Sequence, residues 1–205
     1  MRFDLGIVFV TLVASMPLLG PPLATAQTPP ATIMPVERPR WQIGDEWTFE
    51  TGAWIAKRKI SVRVTERRKV DEQEMYVLQG FEGEELLDQD LNWKSVTLFG
   101  AQRVFTPVLP LFVWPADPGK AWQVDSECRI GANLFRVQGP ATVEKVESVK
   151  VPAGTFQAVR LNLKSRTKDF TYWYSPEVRY VVKVDLRESQ NNVEYRLVNF
   201  RLRER

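Results

Sequence analysis

From Trp41 onward the apolar residues recur at every second position, and this period of two constrains the fold more than any other feature of the chain. Ile60, Val62 and Val64 alternate with Ser61, Arg63 and Thr65; Trp122, Val124, Cys128 and Ile130 alternate with Gln123, Asp125, Glu127 and Arg129. Val159, Leu161 and Leu163 repeat the pattern, as do Val182, Val184 and Leu186, then Val198, Phe200 and Leu202. Side chains of a strand point to opposite faces in turn, so such rows predict strands with one buried face. No segment keeps a helical period beyond a turn or two. Turn residues fall between the rows at Gly80 to Gly83, Pro115 to Gly119, Pro152 to Gly154, Ser175-Pro176 and Gln190 to Asn192. The expected fold class is therefore all-β: an antiparallel meander forming a curved sheet, an open half-barrel, a barrel or a sandwich, in one domain.

The amino end divides differently. Residues 1–26 carry Arg2, an apolar run from Leu5 to Leu19 and the small-x-small sequence Ala24-Thr25-Ala26, which reads as a secretory signal cleaved before Gln27. The run falls short of the roughly 20 residues that span a bilayer. No cysteine lies near the cleavage site for lipid attachment, so the expectation is an exported soluble protein, periplasmic or secreted, that is not a lipoprotein and has no transmembrane span in its mature form. Residues 27–40, with Pro29, Pro30, Pro35 and Pro39, read as a disordered proline-rich linker, which leaves 41–205 as the β-rich domain.

Composition narrows the chemistry. The 205 residues include no histidine and one cysteine. Histidine is the usual acid-base group near neutral pH and the commonest metal ligand, so no catalytic residue, metal ligand or cofactor is assigned. Ser126, Ser165 and Ser175 have no histidine to activate them, and no Gly-x-Ser-x-Gly elbow occurs. The pair Asp45 and Glu46, and the group Glu82, Glu84, Glu85, Asp88 and Asp90, match no calcium loop and read as solvated turn charges. Cys128 lies on the apolar side of its row and reads as a small buried thiol. Basic runs at Lys57 to Lys59, Arg67 to Lys69 and Arg196 to Arg205 sit in a chain of net charge +3, too little to point to nucleic acid. Arg201, Arg203 and Arg205 are expected to guard a sheet edge.

Seven tryptophans remain to be placed. Gly44-Asp45-Glu46-Trp47 and Gly119-Lys120-Ala121-Trp122 each set a glycine three residues before a strand-opening Trp, the mark of a core plug or of two halves of a duplicated sheet. Between them, Phe105 to Pro118 is the most apolar irregular stretch after the signal, and its prolines predict a lid across a barrel end. Trp47, Leu109, Leu111, Phe112, Trp114 and Trp122 are the candidate ligand-binding residues, for an apolar small molecule or a lipid. The alternatives are an envelope protein as partner, a structural or assembly role without a small molecule, and, third, a carboxylate-dependent hydrolase.

Three landmarks occur in order: Trp41-Gln42-Ile43-Gly44-Asp45-Glu46-Trp47; Trp114-Pro115 through Gly119 to Trp122; and Val151-Pro152-Ala153-Gly154-Thr155-Phe156 followed by Tyr172-Trp173-Tyr174-Ser175-Pro176. In these the chain resembles the TapB-like exported bacterial β-rich proteins of unknown function, whose outline is that of lipoprotein-carrier half-barrels. The resemblance implies fold and compartment and no site. Where that family has a glycine turn, this chain has Pro176-Glu177-Val178-Arg179, which suits a type I turn.

Overall fold

The computed structural model describes residues 36–52, 58–80, 82–98, 100–165, 168–188 and 191–204; the expected signal and most of the linker lie outside them. Twelve antiparallel strands form one sheet: β1 (Glu46–Thr51), β2 (Arg58–Val70), β3 (Gln73–Gln79), β4 (Glu84–Leu87), β5 (Trp93–Leu98), β6 (Ala101–Leu109), β7 (Ala121–Ile130), β8 (Asn133–Val151), β9 (Gly154–Lys164), β10 (Lys168–Ser175), β11 (Tyr180–Glu188) and β12 (Asn191–Arg201). Each strand pairs with its neighbours in sequence, and β12 returns to β1, so the sheet is a closed barrel. Closure removes the edges that β1 and β12 would otherwise leave. Arg201 therefore guards no edge, because it lies opposite Glu46 in the β1–β12 ladder.

Alternation fills the interior as the sequence pattern predicts. Val62, Val64, Leu78, Leu87, Val96, Val124, Cys128, Val143, Leu161, Leu163 and Val182 are all buried. β12 departs from its predicted row: the ladder shifts between Thr48 and Phe49, Phe49 then faces Leu197, and Leu197 is the fully buried residue where Val198 was expected. A bulge of this kind switches the face of every residue beyond it.

The connections from even to odd strands, together with the stretches that precede β1 and follow β12 among the described residues, gather at one barrel end. Here Val36 to Arg40 departs from the linker expectation. Pro39 is buried, Val36 packs on the core, and the Val36 carbonyl accepts a bond from Ala116 N at 3.0 Å. Apolar anchors fix this stretch against the barrel, so the folded part begins before Trp41.

The two glycine-Trp segments are equivalent in three dimensions. Gly44 and Gly119 have φ of 92° and 90°. Gly44 N donates to Val64 O and Gly119 N to Val143 O, both at 2.8 Å; Val64 N returns a bond to Asp45 O, and Val143 N to Lys120 O. Each valine directly precedes a register shift in its strand. Strands β1–β6 and β7–β12 thus begin with the same device.

Candidate functional site

The predicted lid is a plug at the end where β1 begins and β12 finishes. Its first part is strand: β6 continues through Pro107 to Leu109, although pairing with β7 stops at Thr106, where the ladder gives way to a residue with no N–H to donate. Beyond Leu109 the chain turns into the barrel. Leu109, Leu111, Phe112 and Ala116 are buried in the core cluster, and Trp114 and Trp122 pack partly buried against it.

Hydrogen bonds pin this plug along its length. Phe112 N donates to Asn92 Oδ1 at 2.8 Å, and Trp114 Nε1 to Asp90 O at 2.9 Å. Trp122 Nε1 donates to Pro110 O at 2.8 Å, while Lys120 Nζ reaches the carbonyls of Trp114 and Pro115, each at 3.0 Å. Phe112 and Trp114 stack with centroids 5.3 Å apart, and Trp114 meets Tyr174 edge-on at 4.9 Å. Five of the six candidate ligand-binding residues, Leu109, Leu111, Phe112, Trp114 and Trp122, therefore belong to one apolar unit.

The sixth stands in a second aromatic cluster. Trp47 is fully buried, lies 5.0 Å from Trp41 and 4.8 Å from Tyr180, and donates Nε1 to Val178 O at 2.7 Å. Trp41 donates Nε1 to Arg179 O at 2.7 Å. Sequence reasoning passed over Trp41, Tyr174 and Tyr180 as site residues, although the Tyr-Trp-Tyr landmark held the second. The two clusters mirror each other: Trp41 bonds the β10–β11 turn, and Trp114 bonds the β4–β5 turn. Arg179, at φ 56°, and Leu91, at φ 65°, occupy left-handed positions in those turns. The β10–β11 turn does carry the 176→179 backbone bond expected of it, at 3.3 Å, and adds the left-handed residue without a glycine.

The acidic candidates serve the turns. Asp45 is fully buried and accepts from Gln42 N and Arg203 N at 2.9 and 2.6 Å. Asp88 accepts from the amides of Asp90 and Asn92, both at 2.9 Å, and burial raises its carboxyl above the usual range. Glu82 accepts from Gly100 N at 2.5 Å, and Glu84 is held below the usual carboxylate range by Arg68. Glu85 corrects the expectation of a solvated group. It faces the interior opposite Leu78 and is fully buried, because strand alternation sends it inward. Burial, with Glu85 nearby, pushes the Tyr180 hydroxyl well above its ordinary value. Cys128 is buried, as its place on the apolar row predicts. Among the described residues no group of three or more acidic, histidine or cysteine side chains is placed to hold a metal, and no helix is long and apolar enough to cross a membrane.

No family model and no curated protein matches the chain. Among solved structures it is similar to a Bacteroides fragilis protein described as exported with a YmcC-like fold, at 14% identity over 81% of this chain and 99% of that one, with a TM-score of 0.47. A Parabacteroides distasonis protein described as a lipoprotein follows at 13% identity, 81% and 99% coverage, and a TM-score of 0.42. The hypothetical lipoprotein YmcC of Escherichia coli has 12% identity, 80% and 90% coverage, and a TM-score of 0.45. Likeness of this degree carries no argument about function.

Proposed function

We propose that this chain is a non-catalytic, exported β-barrel that serves the cell envelope as a structural or partner-binding domain. One observation carries the reading: the apolar lid is bonded into the core, with the indole N–H of Trp114 donated to Asp90 O and that of Trp122 to Pro110 O. A segment packed and hydrogen-bonded in this way closes a core; it does not wait for a ligand. The signal-like residues 1–26 and the motif resemblance to TapB-like exported proteins support the compartment.

Native mass spectrometry of the exported chain, followed by organic extraction, tests this. The expected result is a start at Gln27 and a mass with nothing bound. A stoichiometric extra mass that passes into solvent overturns it in favour of a second reading, an apolar ligand held under the lid by Trp47, Leu109, Leu111, Phe112, Trp114 and Trp122. That reading draws on the β6–β7 ladder, which holds only three residue pairs and so leaves the lid's approach sparsely paired, as is the β4–β5 ladder with two.

A further inference from the structure

Opposite the sealed end, the β7–β8 hairpin runs out past β9 on its outer side. Its strands pair from Ala121 with Thr142 to Ile130 with Asn133, whereas pairing of β8 with β9 begins only at Ala141 with Leu163. Gly139 abuts the Lys164 carbonyl, and an added Cβ there would come within 1.7 Å of its oxygen. Beyond that contact, Asn133 to Gln138 has no strand on its outer side among the described residues. This free edge is about 20 Å long at the usual rise per residue. The ladder closes at Ile130 and Asn133, so by antiparallel alternation the N–H and C=O groups of Leu134, Arg136 and Gln138 point away from β7.

The edge also lacks the usual protection. Free edges are normally blunted by charge, proline or a bulge. The one charge between Asn133 and Gln138 is Arg136, and its guanidinium is turned back onto β7, where Nε and Nη2 bind the two Asp125 oxygens at 2.8 Å each. What remains is apolar and open: Leu134 and Phe135 are 59% and 53% exposed. Beside them lies a groove of about 490 Å³ lined by Thr106, Pro107, Asp125, Glu127, Leu134, Phe135 and Arg136.

We infer that this edge is a homodimerisation site at which the β8 strands of two copies pair antiparallel about Phe135. The edge is complementary to itself, as a two-fold interface requires, since antiparallel pairing about one residue sets each outward N–H against an outward C=O of the copy. Centred on Phe135, the pairing sets Phe135 against Phe135, Leu134 against Arg136 and Asn133 against Val137. No two charges meet, and each Arg136 is already neutralised by its own Asp125. The surface goes beyond the envelope role proposed above, and its test reads association, not ligand or export.

Sedimentation equilibrium of the exported chain over a concentration series, with hydrogen exchange at each end of that series, decides it. The expected result is a monomer–dimer equilibrium in which the amides of Leu134, Arg136 and Gln138 gain protection as concentration rises. Phe135→Glu should raise the dissociation constant about tenfold or more, the usual loss for an interface aromatic. Asp125→Asn, which leaves the apolar pair intact and releases the Arg136 charge, should weaken the dimer in the same direction, while Ile43→Glu at the opposite barrel end should leave it unchanged. A monomer at every concentration overturns the inference. So does a dimer indifferent to both Phe135→Glu and Asp125→Asn.

Discussion

Asn92 shows how much a single side chain does at the sealed end. Its amide oxygen takes the buried N–H of Phe112, and its own N–H is held by Asp88. Asn92→Ala leaves that donor unsatisfied and should cost about 2 kcal/mol in denaturant unfolding. Tyr172 is the opposite case. Its hydroxyl is buried with no hydrogen-bond partner and its pKa is pushed far up by burial. Tyr172→Phe should therefore leave the melting temperature unchanged or raise it; a clear fall in a thermal scan would show that the hydroxyl has a partner. Asn92 did not stand out in the sequence, because an asparagine in a turn is ordinary, and Tyr172 was seen only within the Tyr-Trp-Tyr landmark, which says nothing of its hydroxyl. The lid residues did stand out, since prolines and large apolar groups rarely share a loop.

At the scale of elements, the two glycine-Trp openings are alike in backbone and differ in surroundings. Gly44 and Gly119 both hold left-handed φ, so alanine at either should cost about 1 kcal/mol of backbone strain. An added Cβ at Gly44 would meet Arg203 Nε at 2.8 Å, whereas nothing lies within 4 Å at Gly119. Gly44→Ala should therefore lose more stability than Gly119→Ala, and equal losses in urea titration would contradict the stated packing. The strands were legible in the sequence because one buried face imposes strict alternation. The bulges were not, since they depend on which partner strand a residue meets; hence Leu197 buried in place of Val198, and the free edge at Asn133 to Gln138 unseen.

Closure belongs to the whole molecule. Pairing of Glu46 with Arg201 joins residues at the two ends of the domain, and no local pattern states it, which is why a half-barrel and a sandwich were equally readable. Its consequence is a common interior in which Tyr172, Tyr174 and Tyr180 all have hydroxyl pKa values raised by burial. A raised folded value lends stability that is full below the unfolded value of about 10 and is lost as pH rises beyond it. Ultraviolet titration should show these three tyrosines still protonated at about pH 10, ionising only with unfolding; smooth ionisation of every tyrosine in the native state would contradict a closed interior. On the acid side, Lys145 and Trp173 hold Glu147 below the ordinary carboxylate range. The stability it lends is present above that range and lost as pH falls through the folded value. Glu147→Gln should flatten the acid limb of the stability curve.

Whether the lid is part of the barrel core is decided by native-state hydrogen exchange at Leu111, Phe112, Ala116 and Gly119, whose amides are all bonded. These amides should exchange only with global unfolding, alongside those of β9 and β10. Fast exchange of the four together, with the strands still protected, would show a lid that opens by itself and would contradict its place in the core.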